Sequence, residues 1–231
     1  MADRETTRTI SVQASVLDKN DALAARNRAR FDAAGSLAVN MLSSPGSGKT
    51  SLLERTLSDL AESVPMAVIV GDLATDNDAA RLRERGAPIV QITTGDLCHL
   101  DAAMVAQAIE ALPEPLARLL FIENVGNLVC PVAFDLGEHA RATLMSVTEG
   151  EDKPLKYPAV FRTAGVVVVT KMDIADAVGF DRATAIRCIR AVAPDAPVIE
   201  VSARTGLGMS EWYDWLMKGT RRDCVNGDTR R

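Results

Sequence analysis

The sequence predicts a doubly wound α/β fold: a mostly parallel sheet of about seven strands flanked by helices, with an N-terminal helical extension. Three observations predict it. Seven short apolar runs, rich in β-branched residues, recur along the chain at 37–42, 66–70, 88–92, 119–122, 143–147, 166–169 and 198–201, as buried parallel strands do. Segments of helical length separate them, notably 49–60, 78–85, 99–112, 181–192 and 209–217. Such alternation demands right-handed crossovers between parallel strands. The first strand then runs through a glycine-containing turn directly into a helix.

Length and composition set the frame. A chain of 231 residues, 47% hydrophobic and 25% charged, suits one well-buried soluble domain. The aromatic content of 4% leaves the core to Leu, Val, Ile, Ala and Met. A net charge of −5 argues against a nucleic-acid partner, which needs a basic surface; the arginines at 221, 222, 230 and 231 read as a solvated tail. No apolar run reaches the roughly 18–20 residues that span a bilayer, and the N-terminus has no apolar core of a secretory signal. These features predict a cytoplasmic protein without a membrane partner. Four cysteines are too few for a disulfide framework and are expected to be reduced.

Taken in order, residues 1–34 form the helical extension, whose helix spans about 12–31 and is Ala- and Arg-rich. Residues 35–220 form the nucleotide-binding domain, and 221–231 a flexible tail. Strand 37–42 leads into Ser43-Ser-Pro-Gly-Ser-Gly-Lys-Thr50 and then into a helix, the context of a Walker A phosphate loop. Pro45, Gly46, Ser47, Gly48, Lys49, Thr50 and Ser51 are therefore nucleotide-binding candidates. Gly46 and Gly48 let backbone N–H groups face phosphate oxygens, and the helix N-terminus adds partial positive charge. Lys49 reaches for the β- and γ-phosphates, and the Thr50 hydroxyl is placed to ligate Mg²⁺. Ser43 stands where the motif's first glycine is expected, a variation that serine tolerates.

Two later elements select the base. Thr170-Lys-Met-Asp173 ends a buried strand, and Ser202-Ala-Arg204 follows one βα unit later. Together they resemble the [NT]-K-x-D and S-A-K elements of GTPases. Asp173 then accepts hydrogen bonds from the guanine N1–H and amino group, a donor pair adenine lacks. Thr170 replaces the commoner asparagine, and the Lys171 stem lies along the purine. The ligand read from these residues is GTP or GDP, and a small-molecule kinase or ATPase is disfavoured.

Acidic strand ends complete the reading. Asp72 closes the second strand and Glu123 the fourth, where carboxylates beside a phosphate loop hold Mg²⁺ directly or through water. Lys49, Asp78 and Glu123 are the catalytic candidates; Asp78 follows a switch-like segment, 73–77, and is suited to positioning water. A helix N-cap role competes for Asp76 or Asp78. Cys98-His99, at the start of the helix 99–112, and Cys130, just past a strand end, lie at the same sheet edge. Thiolates with imidazole suit Zn²⁺ or Ni²⁺, but spacing alone favours a buried thiol pair and a satisfied histidine over a metal site. Cys188 shares an apolar stripe with Ala185, Ile186 and Ile189 and reads as packing; Cys224 belongs to the tail.

From about residue 37 to 216 the chain resembles the hydrogenase nickel-incorporation GTPases, the HypB family, a dimerising class of P-loop GTPases. The most specific stretches are Val70-Gly-Asp-Leu-Ala-Thr-Asp-Asn-Asp-Ala-Ala-Arg81, Thr94-Gly-Asp-Leu-Cys-His-Leu-Asp-Ala102, Phe121-Ile-Glu-Asn-Val-Gly-Asn-Leu-Val-Cys-Pro131 and Ser146-Val-Thr-Glu-Gly-Glu-Asp-Lys-Pro-Leu-Lys-Tyr-Pro158. The urease accessory GTPase is the nearest alternative family and differs after the Glu-bearing strand. The resemblance implies that Cys98, His99 and Cys130 bind Ni²⁺ or Zn²⁺ at or near a GTP-promoted homodimer interface. It also implies slow GTP hydrolysis, a small nickel- and zinc-binding maturation partner, and a [NiFe] hydrogenase large-subunit precursor as client. Lys153 and Lys156 either reach the partner subunit's nucleotide or are solvated. A cysteine-rich or His-rich N-terminal nickel site, present in some members, is not among these residues: no Cys or His precedes Cys98. A metal-binding module without hydrolysis is the remaining alternative, which the intact phosphate loop opposes.

Overall fold

The computed structural model describes residues 12–72 and 77–226. Seven parallel strands form a single sheet: β1 (Leu37–Ser43), β2 (Met66–Asp72), β3 (Ile89–Thr93), β4 (Leu119–Glu123), β5 (Ala140–Ser146), β6 (Val166–Thr170) and β7 (Val198–Glu200), in the order β3-β2-β4-β1-β5-β6-β7. The order reverses around β1, so the crevice beyond the C-terminal ends of β1, β2 and β4 is the natural ligand position.

Both faces of the sheet are buried, which explains the unbroken apolar runs. On β4, Leu119 and Phe121 point to one face and Leu120 and Ile122 to the other, and each joins a separate core. The first face is covered by α2 (Lys49–Leu60), α3 (Asn77–Arg83) and α8 (Met209–Asn226). Here Leu53, Leu57 and the fully buried Trp212 pack together, and the Trp212 indole N–H donates to Thr56 Oγ1 at 3.0 Å. The opposite face carries α1 (Val12–Ala34) and α4 (Ala102–Ala111) on one side of β1. Two short helices, α5 (Lys153–Lys156) and α6 (Pro158–Arg162), and then α7 (Arg182–Val192) lie on the other side.

Helix α1 is weakly amphipathic because its buried contacts are partly polar. Phe31 enters the core, while Asn20 Oδ1 accepts from Ala102 N at 2.9 Å and Asn27 Nδ2 donates to Ala102 O at 2.9 Å. These amides fasten α1 to the first turn of α4. The helix predicted from 99 begins instead at Ala102, because Asp101 caps it by accepting from Met104 N at 2.8 Å. Cys98 and His99 therefore lie in the preceding loop rather than in the helix. Strand β5 starts three residues earlier than predicted, paired with β1 from Ala140. Helix α8 continues to Asn226, beyond the predicted domain end at 220. Segment 73–76, with the proposed N-cap Asp76, and the end of the tail, 227–231, lie outside the described residues. Among the described residues no helix is long and apolar enough to cross a membrane.

Candidate functional site

The phosphate loop joins β1 to α2 and is built around left-handed glycines. Gly46 has φ +74° and Gly48 φ +90°, a region closed to most side chains. Gly48 takes the N-cap position of α2 with no side-chain cap, leaving the first N–H groups of α2 directed at the cleft. A cleft of about 440 Å³ opens there, walled by the loop from Pro45 to Ser51 and by Asp72, Asp78, Glu123 and Lys171.

Lys49 is buried, and burial lowers its pKa, against the opposing pull of Glu123. Its ammonium donates to Ser43 Oγ at 2.9 Å, while the Ser43 hydroxyl donates to Ser44 O at 2.7 Å. The Ser43 oxygen is thus committed as an acceptor for Lys49. The serine that departs from the glycine motif has a use: it solvates a buried cation.

Glu123 is fully enclosed. Burial pushes its carboxyl up to about 7, offset in part by Lys49 and by the Thr50 bond. Thr50 Oγ1 donates to Glu123 Oε1 at 2.7 Å, and Glu123 Oε2 is buried without a hydrogen-bond partner. An orphaned carboxylate oxygen beside a threonine hydroxyl is an oxygen donor set of the kind Mg²⁺ takes, so these residues fit that ion. Asp72, at the end of β2, and Asp78 share the cleft. Asp78 lies inside the first turn of α3, so it is not that helix's N-cap.

The phosphate loop is braced from the β5 side by a residue the motifs had not singled out. The Ser47 hydroxyl lies 2.5 Å from Glu149 Oε1 and 2.8 Å from Ser44 O, and Ser146 N donates to the same Glu149 oxygen. Lys153 Nζ lies 3.1 Å from Glu149 Oε2, so it is committed within its own chain here; Lys156 pairs with Asp152 at the surface. Burial raises the Glu149 pKa, but the bonds from Ser47, Lys153 and Ser44 outweigh it and leave the carboxylate ionised more readily than usual.

Thr170 and Lys171 also hold the loop. Thr170 Oγ1 donates to Ser47 O at 2.6 Å, and Lys171 Nζ donates to Gly46 O at 2.7 Å. Asp173 and the 202–204 loop are not among the described walls of the cleft; they form an adjoining cluster. Asp173 Oδ1 accepts from Ser202 Oγ at 2.7 Å and Oδ2 from Arg204 Nε at 2.8 Å, and these bonds, Ser202 first, lower its pKa. Ala203 O accepts from Arg55 Nη1 at 3.4 Å. Both carboxylate oxygens are thus held as acceptors, which favours the ionised form and fixes its direction.

The ligand atoms of Cys98, His99 and Cys130 all lie within 4.8 Å of one another, and Cys98 Sγ is 3.9 Å from His99 Nδ1. Tetrahedral coordination with bonds of about 2.0–2.3 Å spaces donors by about 3.5 Å; the group needs only a small contraction to hold an ion. His99 stacks on Phe134 with ring centroids 4.0 Å apart, and burial lowers its pKa toward the neutral, ligating form. The adjacent Cys98 thiol raises the Cys130 pKa, a penalty a divalent cation would reverse by stabilising both thiolates. Cys188 is free and half-buried on α7, where Ala185 and Ile189 carry the packing.

The two sites share a wall. The loop after β4 passes so close to the phosphate loop that a Cβ at Gly126 would meet Pro45 Cα at 2.9 Å. Asn124, almost fully buried, accepts from Leu100 N at 3.2 Å, and Asn127 Nδ2 donates to Cys98 O at 3.4 Å. The run from Glu123 to Cys130 thus touches the phosphate loop at one end and carries a metal candidate at the other. Asn124, Gly126 and Asn127 fall within a stretch already singled out in the sequence; only the three-dimensional contacts reveal their use.

The model of the CobW/HypB/UreG nucleotide-binding domain matches residues 37–200. The hydrogenase maturation factor HypB of Escherichia coli K12 is 53% identical over 209 residues, which span 90% of this chain and 72% of that protein. The chain belongs to the HypB family. HypB of Archaeoglobus fulgidus superposes with a TM-score of 0.82 at 40% identity, covering 88% of this chain and 99% of that one. HypB of Helicobacter pylori, solved in complex with nickel, superposes with a TM-score of 0.84 at 38% identity, covering 89% and 96%. The HypB-family likeness therefore extends over the phosphate loop, the β4 loop and the Cys98–His99 loop together, on a P-loop GTPase fold.

Proposed function

We propose that the chain is a GTP-hydrolysing metallochaperone that helps insert nickel into the large-subunit precursor of a [NiFe] hydrogenase, with its Cys98–His99–Cys130 site switched by the nucleotide. The observation that carries this reading is the convergence of two thiols and an imidazole on loops fastened to the wall of a phosphate-loop cleft. Family membership supplies the client class, and the nickel complex of the H. pylori relative supports nickel as cargo.

In this reading the N–H groups from Pro45 to Ser51 cradle the GTP phosphates, and Lys49 leaves Ser43 to follow the β- and γ-phosphates. Thr50 and Glu123, with Asp72, hold Mg²⁺, which neutralises phosphate charge when bound. Asp78 orients the attacking water. Asp173 reads guanine, with Thr170 and Lys171 supporting the purine and Ser202, Ala203 and Arg204 closing its edge. Glu149 and Thr170 keep Ser47 in place throughout, so the cradle is preorganised.

Three protein donors leave one position of a tetrahedral site open, which suits an ion in transit rather than a structural one. The exposed Leu97 and Val129 flank the cysteines and offer an apolar rim for a second copy of the chain or for the small nickel- and zinc-binding partner. Zn²⁺ and Ni²⁺ compete for the same donors. The chain works in the cytoplasm, where thiols stay reduced.

Hydrolysis and metal binding separate this reading from its rivals. The protein is expected to hydrolyse GTP slowly and in preference to ATP. Lys49→Ala abolishes the activity, Asp173→Ala removes the preference, and Cys98→Ala loses nickel binding while keeping hydrolysis. Equal use of ATP and GTP by the wild type, or undiminished turnover in Lys49→Ala, contradicts the reading.

A further inference from the structure

The cleft contains a cation that none of the nucleotide motifs uses. We propose that Arg81 is a further catalytic residue for GTP hydrolysis, paired with Glu54 in this structure and able to turn from it to the nucleotide phosphates. The inference rests on the reading that this cleft hydrolyses GTP.

Arg81, on α3, shares the walls of the cleft with Lys49, Thr50 and Glu123. Its Nη2 lies 3.4 Å from Ser51 Oγ, on the residue that follows Thr50 in the phosphate loop. The same nitrogen donates to Glu54 Oε2 at 2.5 Å, on the face of α2 turned toward α3. The guanidinium therefore spans the boundary between the cleft and a carboxylate just outside it.

Three features of the structure make the transfer feasible. The Arg85 Nη2 lies 3.6 Å from the other Glu54 oxygen, so Glu54 keeps a counter-charge when Arg81 departs. Asp78, which lines the cleft, stands 3.6 Å from Arg81 Nη1, so the guanidinium already faces a carboxylate of the cleft. The Arg81 side chain is 47% exposed, and an ion pair that open to solvent is a weak tether. A triphosphate offers a guanidinium more charge and a bidentate acceptor geometry.

In the reaction, the water oxygen forms a bond to the γ-phosphorus as the bond from that phosphorus to the β–γ bridging oxygen breaks. The bonding pair remains on the β-phosphate of GDP, and a proton from water passes to the released phosphate or solvent. Arg81 meets the negative charge that grows on these oxygens. Its contribution appears in turnover rather than in nucleotide affinity.

The test compares Arg81→Ala, Arg81→Lys and Glu54→Gln with wild type in single-turnover GTP hydrolysis and in Mg²⁺–GDP binding, with thermal melting as a check of folding. Arg81→Ala is expected to lower the hydrolysis rate about 100-fold while GDP affinity changes only a few-fold. Arg81→Lys retains part of the rate, and Glu54→Gln retains or exceeds the wild-type rate because it frees the guanidinium. A merely structural Arg81–Glu54 clasp predicts otherwise: both deletions slow the reaction equally. That outcome, or wild-type hydrolysis by Arg81→Ala, overturns the proposal. A wild type that hydrolyses no GTP overturns the underlying reading and the proposal with it.

Discussion

Glu123 carries a cost in its own charge. Its carboxyl titrates at about 7 against an ordinary 4.5 because burial opposes its charge. Below pH 4.5 it is protonated whether the chain is folded or not. Between 4.5 and about 7 only the unfolded chain gives up the proton, so folded stability falls as pH rises, and above 7 the loss is complete. In the nucleotide-free protein Glu123→Gln is therefore expected to raise the melting temperature at pH 8 by a few degrees, roughly 1–3 kcal/mol of stability. The gain shrinks toward zero at pH 5, and melting curves at the two pH values check it. A gain that stays constant or grows toward acid contradicts the assignment. The strand-end carboxylate was legible in the sequence, since an acid closing an apolar strand has little structural use. The Ser43 bond to Lys49 was not: sequence shows a departure from a motif, but not that the serine oxygen faces the ammonium.

At the scale of elements, the loop between β4 and the 3-10 turn Cys130–Ala133 joins the phosphate-loop cleft to the Cys98–His99–Cys130 cluster. Gly126 is small because Pro45 backbone occupies the space a side chain would need. Gly126→Ala must push the phosphate loop or the β4 loop aside, and overpacking of this kind costs about 1–3 kcal/mol. Both a melting point lower by about 3–8 °C and weaker binding of a GTP analogue are expected, read by thermal melting and titration. Unchanged melting and binding would show that the two loops are not in firm contact. The strands themselves are readable from their apolar runs, and β5 departs most from its run at the start, where Ala140 and Arg141 lack an apolar signal yet pair with β1. The start of α4 was misread because the apolar pattern from 99 onward hides Asp101, whose cap sets the boundary and leaves Cys98 and His99 free to lie in a loop.

Over the whole molecule, the doubly wound order places every candidate at one sheet edge. β1 supplies the phosphate loop, β2 Asp72, β4 Glu123 and the path to Cys130, and β6 the run to Asp173. This placement follows from alternation and was foreseeable; the mutual approach of Cys98, His99 and Cys130 was not, because adjacent and distant residues give no distance until the loops are folded. The fixed contacts Gly126–Pro45, Asn124–Leu100 and Asn127–Cys98 lead from the nucleotide to the metal donors without a break. The proposed switching requires that a nucleotide moving the phosphate loop also alter the spacing of the donors, which would appear as a coupling free energy between the sites.

Calorimetric titration of Ni²⁺ into the full chain loaded with Mg²⁺ and either GDP or a non-hydrolysable GTP analogue measures that coupling. Nickel affinities are expected to differ at least about five-fold between the two states, and Cys98→Ala is expected to bind no nickel in either. Equal affinities in the GDP and GTP-analogue states would contradict the coupling.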